Sequence, residues 1–348
     1  MAQGPAVRRV TAEIRAWDAQ QRLSHPDDAE AWVEWITEHA LRGASLKELV
    51  DGLVASGVPA ASAWQAVSAV SRSPILAAAR RLVGRSVALE QVTRLHRVVN
   101  PEPLTVRTSL DEDTLYREHW TAHRPVVFRG AATGWPAARW TFPDLRDRFG
   151  FAPVDVSVRR DPGWWSQDPE HRRMPFAAYV DVILGTPSDT LYADGRSGVL
   201  EQVGLAPLRA ELGLLPGLVG DGHPRAWVGP AGTVTPTHHD QSTGWLVQLL
   251  GRKRLFLASP LESDLAGSAV GLFHGVDPRR TATGELAHVR WHEVVLEPGD
   301  AVLTPAGWWH HVEALEPSFS VSFSGFRWPN AFSWYLPGGA PRTAANRA

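Results

Sequence analysis

The spacing of hydrophobic positions differs between the two parts of the chain. In the segment 88–99, apolar residues recur every three or four positions, which is typical of one face of a helix. Beyond residue 104 the period becomes two, because apolar and polar residues alternate in the segments 154–158 and 318–324. The pattern therefore predicts helices first and short strands afterwards.

Turn and cap residues refine this division. Ser45 and Glu48 have the capping-box spacing, which predicts a helix start at that point. The segment 100–103 (NPEP) is stiff and non-helical, and predicts a boundary. We expect a helical region at 1–100 and a β-rich domain that begins at 104. Several glycines and prolines are expected to divide the helical region into short pieces: Gly43, Gly52, Gly57, Pro59 and Pro74.

Composition narrows the function classes. The net charge of −2 gives no strong field toward nucleic acid or an anionic membrane, so neither partner is expected. Cysteine is absent, which excludes disulfides, thiolate zinc sites and a cysteine nucleophile. The sequence contains no long apolar run and no secretory signal, so we expect a cytoplasmic protein. Any metal must be held by histidine and carboxylate.

The segment 235–254 (TPTHHDQSTGWLVQLLGRKR) carries the most informative chemistry. On a strand, His238 and Asp240 would project to one side and His239 to the other. An imidazole beside a carboxylate supplies two neighbouring ligands for a divalent metal. A further histidine from the segment 305–312 (PAGWWHHV) could complete a facial site with two histidines and one carboxylate, as in non-haem Fe(II) oxygenases.

These motifs together resemble a known family. TPxHxD, GRK, EPGD and PxGWWH follow one another in the order found in the JmjC-type branch of the cupin superfamily. Its members are Fe(II)- and 2-oxoglutarate-dependent oxygenases, and the chain is similar to the asparaginyl hydroxylase that acts on hypoxia-inducible factor and to bacterial cupin-like relatives. The likeness covers roughly 104–337, which implies a catalytic domain with these limits and a C-terminal tail at 338–348. It also implies a mainly β fold, a double-stranded β-helix or cupin jelly roll, preceded by a small helical domain at 1–100.

The resemblance also implies roles for individual residues. The metal ligands would be His238, Asp240 and His310, the last in preference to His311 because the motif places it directly after two tryptophans. The cofactors would be Fe(II), 2-oxoglutarate as cosubstrate and O2. Cosubstrate contacts would come from four positions: Thr235, Lys253, Tyr192 and Ser322. One departure is Gly244, where relatives often have an asparagine whose amide would lie near the cosubstrate or the metal.

The implied reaction is hydroxylation of a C–H bond in an amino-acid side chain of a protein or peptide, with release of succinate and CO2. Two alternatives stay open: hydroxylation of a small amino-acid-derived metabolite, and a cupin that binds metal without turnover. Demethylation would follow from the same chemistry if the target carbon were attached to nitrogen. For the helical region, both a homodimer interface and a substrate-docking surface are open.

Overall fold

The computed structural model describes residues 29–99, 104–159, 170–262, 264–265, 269, 271–281 and 286–332. The chain divides into two units, Met1–His96 and Arg97–Ala348. The predicted boundary at 100–103 and the predicted tail at 338–348 lie outside the described residues, so the predicted domain limits stay a prediction.

In the N-terminal part, the described residues 29–99 form helices, as the sequence predicts. Ser45 caps the second of them in a complete capping box with Glu48. Gly52 does not divide two helices as predicted. It lies inside the second helix, where an added Cβ would come within 2.7 Å of the Trp35 ring, so close packing explains this glycine. The helices are α1 (Ala29–Leu41), α2 (Leu46–Ala55), α3 (Ala60–Ser71) and α4 (Pro74–Val99).

The C-terminal part is mainly β, as predicted. Its described strands are β1 (Thr105–Arg107), β2 (Val126–Phe128), β3 (Pro153–Val158), β4 (Glu170–Pro175), β5 (Leu191–Tyr192), β6 (Pro224–Gly229), β7 (Val234–His238), β8 (Gly244–Leu250), β9 (Lys253–Ala258), β10 (His292–Leu296), β11 (Ala301–Thr304), β12 (Trp309–Ala314) and β13 (Ser318–Phe323). The described helices are α5 (Glu112–Thr114), α6 (Phe142–Phe149) and α7 (Phe176–Ile183), a π-helix at Leu115–Trp120, and 3-10 turns at Pro136–Arg139, Ala206–Glu211 and Pro278–Arg280.

Three sheets organise these strands. A six-stranded sheet has the order β1-β2-β11-β8-β13-β6, a four-stranded sheet has the order β10-β9-β12-β7, and β4-β3-β5 form a third. One apolar cluster joins strands of the two larger sheets and includes Val127, Leu255 and Leu296. Two facing sheets of this kind are the arrangement of a cupin jelly roll.

Alternation of apolar and polar residues, as in β13, predicts a half-buried strand with one face in solvent. Both faces of this strand are buried, since Ser320 is as inaccessible as Phe319. The apolar face belongs to the buried cluster that includes residues of α6 and α7. There the ring centroids of Phe319 and Trp140 are 5.2 Å apart. The serine face includes Ser320, which donates to Gln248 Oε1 at 2.6 Å, and Ser322, which lines a cavity. The interior face of β13 therefore supplies polar groups, one of them to this cavity.

No helix in the described part of the chain is both long enough and apolar enough to cross a bilayer.

The backbone geometry of Gly251, in the turn between β8 and β9, predicts the effect of a substitution there. Gly251 has φ +66°, and a Cβ there would lie 2.1 Å from the carbonyl oxygen of Pro317. Gly251→Ala should lower the free energy of unfolding by more than the ~1–3 kcal/mol that left-handed backbone alone costs, because a backbone oxygen cannot rotate away. Gly220→Ala is the control, since Gly220 has φ +60° and open space around it. Denaturant unfolding compares the variants, and equal losses would contradict the close approach at Gly251.

Candidate metal centre

Three of the predicted site residues meet where β7 and β12 lie side by side. His238 ends β7, and antiparallel pairing places it opposite His310 of β12. The two imidazole centroids are 4.0 Å apart. One potential ligand atom from each of His238, Asp240 and His310 lies within 4.8 Å of the other two. Strand pairing thus assembles the predicted metal triad from two distant parts of the sequence.

Asp240 reaches the triad from outside the strand. Strand β7 ends at His238, so the prediction that both residues lie on one strand is wrong in detail. The chain is nevertheless held by backbone bonds: His239 N donates to Leu272 O at 3.0 Å, and Asp240 O accepts from Gly307 N at 2.8 Å. The Asp240 carboxylate lies 3.7 Å from His310 Nε2. His239 makes an edge contact with the Trp309 ring instead.

Backbone carbonyls orient both imidazoles of the triad. Nδ1 of His238 lies 2.8 Å from Pro236 O, and Nδ1 of His310 lies 2.9 Å from Trp308 O. A carbonyl oxygen only accepts, so each Nδ1 carries the proton and each Nε2 lone pair is left for a metal. Burial, together with the neighbouring His310, lowers the pKa of His238 to about 4. The ring is therefore neutral near pH 7, which is the ligating form.

The neighbouring His311 belongs to the other side of β12. Its Nδ1 lies 3.3 Å from Thr237 Oγ1, and its ring lies 6.1 Å from that of Phe256. Alternation along the strand separates it from the triad. The structure therefore brings His310, and not His311, beside His238.

A cavity of about 120 Å³ adjoins the triad. All three triad residues line it, and so do the four residues predicted to contact the cosubstrate: Tyr192, Thr235, Lys253 and Ser322. The apolar part of the cavity wall is formed by Trp227, Trp245, Leu246, Leu255 and Val312. The predicted site residues are therefore collected around one cavity.

Lys253 provides a buried cation at this cavity. Its side chain is 2% exposed, and its ammonium group donates to Tyr192 Oη at 3.4 Å. No carboxylate of the described residues pairs with it. Burial and the positive charge of Arg159 lower its pKa to about 7. A buried ammonium without a countercharge is unfavourable, so the site suits the carboxylate of a ligand.

Hydroxyl groups complete the surroundings of Lys253. Burial raises the pKa of Tyr192 well above its ordinary value, so its phenol keeps the proton and can donate. Thr235 is buried on β7 and interacts with the same phenol. Ser322 Oγ accepts from Trp227 Nε1 at 2.9 Å. Gly244 also lines the cavity, and a Cβ there would meet only the Phe323 carbonyl oxygen, at 3.6 Å. Space beside the cavity is thus left open at this position.

Sequence reasoning missed other residues close to this site. Phe273 stacks on the His238 ring at 5.4 Å between centroids, and Trp227 contributes to the cavity wall. Arg159 and Asp189 form a buried ion pair beside Tyr192. None of the four lies in a recognisable motif, and arginine is so common in this chain that one more gave no signal.

Comparisons with known proteins identify the domain that carries this site. The family model of the cupin-like domain matches residues 112–326. The chain is 40% identical over 108 residues to Jumonji C domain-containing protein 5 of Drosophila melanogaster, covering 28% of this chain and 26% of that protein. It is 27% identical over 226 residues to lysine-specific demethylase 8 of Xenopus tropicalis, covering 60% of this chain and 49% of the relative.

The name of a third relative refers to tRNA. The chain is 26% identical over 241 residues to tRNA wybutosine-synthesizing protein 5 of Danio rerio, covering 62% of this chain and 73% of that protein. In the two comparisons above, the chain spans about half the length of the demethylase and about a quarter of the Drosophila protein.

The triad geometry predicts a contrast between adjacent histidines. His310→Ala should weaken Fe(II) or Mn(II) binding by at least about a hundredfold, because loss of even an outer contact to a metal ligand costs ~10–100-fold. His238→Ala and Asp240→Ala should behave in the same way. His311→Ala is the matched control and should keep stoichiometric metal. Anaerobic metal titration measures the difference, and full metal occupancy in His310→Ala would refute the assignment.

Proposed function

The chain belongs to the family of cupin-like domains, and from this we propose that it is an Fe(II)- and 2-oxoglutarate-dependent oxygenase. We infer that it hydroxylates a C–H bond of an amino-acid side chain in a protein or peptide. The observation that carries the proposal is the triad of His238, Asp240 and His310 beside a cavity with a buried lysine at its wall. The catalytic part would be residues 104–337, preceded by a helical domain at 1–100.

The donor set supports iron as the metal. Two neutral imidazoles and one carboxylate fit a divalent ion and leave its remaining coordination positions open for other ligands. The carbonyls of Pro236 and Trp308 fix the rings before any metal binds, so little reorganisation is needed. With iron, 2-oxoglutarate and O2 bound, the cofactor would supply the oxidising chemistry, and the chain would hold and orient the reactants.

The wall around Lys253 supports 2-oxoglutarate as the cosubstrate. Lys253 would provide the countercharge for the distal carboxylate, and the hydroxyls of Thr235 and Tyr192 would donate to its oxygens. Ser322 would contact the cosubstrate from β13. Because Lys253 and the metal triad line one cavity, a small dicarboxylate could reach both.

The exposure along the site supports a large substrate. Lys253 is buried, whereas the Asp240 side chain is 57% exposed, so the site is open at the metal end. A side chain presented by a protein or peptide could approach there while the cosubstrate occupies the closed end. The net charge of −2 favours a protein or peptide over tRNA, since RNA binding relies on a basic surface.

Succinate formation tests the oxygenase proposal. The Fe(II)-loaded protein, incubated with 2-oxoglutarate and O2, should release succinate, and a reactive peptide should stimulate this release and gain the mass of one oxygen atom. Stimulation by free amino acids instead would favour a metabolite hydroxylase, and release of formaldehyde would favour a demethylase. Absence of succinate from iron-loaded protein with every substrate would contradict the oxygenase proposal and favour a metal-binding cupin. Asp240→Ala provides the inactive control.

Lys253 gives a quantitative prediction for the cosubstrate. Lys253→Ala should raise the KM for 2-oxoglutarate at least tenfold, since removing one partner of a buried charge pair costs about 2 kcal/mol or more. The kcat at saturating cosubstrate should change far less. Arg252→Ala is the control, because Arg252 pairs with Glu316 at the surface. An unchanged KM in Lys253→Ala would move the carboxylate contact elsewhere.

A further inference from the structure

A buried ion pair lies behind the wall that carries Lys253. Arg159, which follows β3, donates to Asp189 Oδ1 at 2.7 Å, and the two side chains are only 6% and 7% exposed. Desolvation makes a buried pair of this kind a poor source of stability on its own. The contacts that the pair makes with neighbouring residues therefore indicate its role better than its contribution to stability does.

The pair contacts two of the elements that carry the proposed cosubstrate residues. The Arg159 guanidinium lies over the Tyr192 ring, 4.8 Å from its centroid. Both members of the pair also bond to the first residue of β7: Arg159 donates to Val234 O, and Asp189 Oδ1 accepts from Val234 N at 3.0 Å. Val234 directly precedes Thr235. One ion pair therefore fixes the ring of Tyr192 and the start of the strand that carries Thr235.

The charge of Arg159 also reaches Lys253. Both cations lie near the same ring, since the Lys253 ammonium is 5.8 Å from the Tyr192 centroid. The strands that pair with β9 at this position contribute only Leu296 and Ala314. The flanking residues Arg252 and Arg254 pair with glutamates: Glu316, Glu293 and Glu313. The positive charge of Arg159 adds to burial in lowering the pKa of Lys253.

We propose that Arg159 and Asp189 are positioning residues for the carboxylate end of the cosubstrate. The pair holds Tyr192 and the start of β7 in place, and its arginine puts a second positive charge beside Lys253, while Asp189 partly neutralises it. The proposal rests on the proposed function, in which that end of the cavity receives the distal carboxylate of 2-oxoglutarate. It adds two residues that touch neither metal nor cosubstrate and act through Tyr192, Thr235 and Lys253.

The electrostatic part of the proposal predicts the direction in which each variant shifts the pKa of Lys253. Removing the arginine charge in Arg159→Gln should raise the pKa of Lys253 from about 7 toward its ordinary value. Removing the carboxylate charge in Asp189→Asn should lower it further, because Arg159 then acts without compensation. The asparagine oxygen can still accept from Val234 N. Arg159→Lys keeps the charge and should leave the pKa of Lys253 close to the wild-type value.

The chain is well suited to this measurement, because Lys47 and Lys253 are its only lysines. Carbon-13 labelling of lysine, in protein loaded with diamagnetic Zn(II), should give one titrating signal from each. The Lys47 side chain is 80% exposed and serves as the internal reference. The added lysine of Arg159→Lys gives a third signal, which is identified by comparison with the wild type.

Binding of 2-oxoglutarate to the same zinc-loaded proteins provides the second readout. Calorimetry is done below pH 7, where Lys253 is charged. Arg159→Gln should bind 2-oxoglutarate roughly tenfold more weakly, because residues within one contact network couple on this scale. Arg159→Lys should recover most of that loss. In the wild type, binding should weaken as the pH rises through about 7, since Lys253 then loses its proton. In Arg159→Gln this weakening should begin at a higher pH.

The outcomes separate the two proposals. Opposite shifts of the Lys253 titration in Arg159→Gln and Asp189→Asn support the positioning role, whereas shifts in the same direction, or none, overturn it. If Arg159→Gln does not fold, Asp189→Asn still tests the sign, since a rise or no change in the pKa of Lys253 there would overturn the role. Failure of 2-oxoglutarate to bind the wild type would contradict the proposed function itself. Normal wild-type binding with an unshifted Lys253 titration would contradict only the role of the ion pair.

Discussion

The pairing of β7 with β12 is the constraint on which the rest of the site depends. It sets His238 opposite His310, and the register shifts immediately afterwards, between His310 and Val312. Because side chains alternate along a strand, a slip of one residue would turn His310 away and bring His311 to the cavity side. Register irregularities of this kind occur next to functional sites, where they aim a side chain. The metal geometry is therefore a property of sheet register before it is a property of the three ligands.

The cavity has opposite characters at its two ends, and this asymmetry explains its proposed use. At one end, Lys253 is buried among hydroxyls and apolar side chains, where a cation gains most from a bound carboxylate. At the other end, the Asp240 side chain is 57% exposed, so the triad is open to solvent, from which a substrate could approach. A ligand with two different ends can bind across this gradient in one orientation only. The Arg159–Asp189 pair extends the charged end behind the wall of the cavity.

Much of this arrangement was predictable, because the signals were local or lay in short motifs. The capping box at Ser45, the β-rich second part and the grouping of the triad all followed from residue spacing or from the motif order. Three features did not. The serine face of β13 is buried because it faces the interior of the fold, where Ser320 donates to Gln248 and Ser322 lines the cavity, and alternation alone does not reveal this. Gly52 serves close packing with Trp35, a contact between different helices. The partnership of Arg159 and Asp189 with Val234 depends on tertiary folding and has no sequence pattern.

The most direct test of the account is an anaerobic crystal structure of the protein with Mn(II), as an inert substitute for iron, and 2-oxoglutarate. The account predicts one metal ion bound by Nε2 of His238, Nε2 of His310 and the carboxylate of Asp240. It also predicts the distal carboxylate of 2-oxoglutarate beside Lys253. A metal ion held through His239 or His311, or a cosubstrate bound away from Lys253, would contradict it.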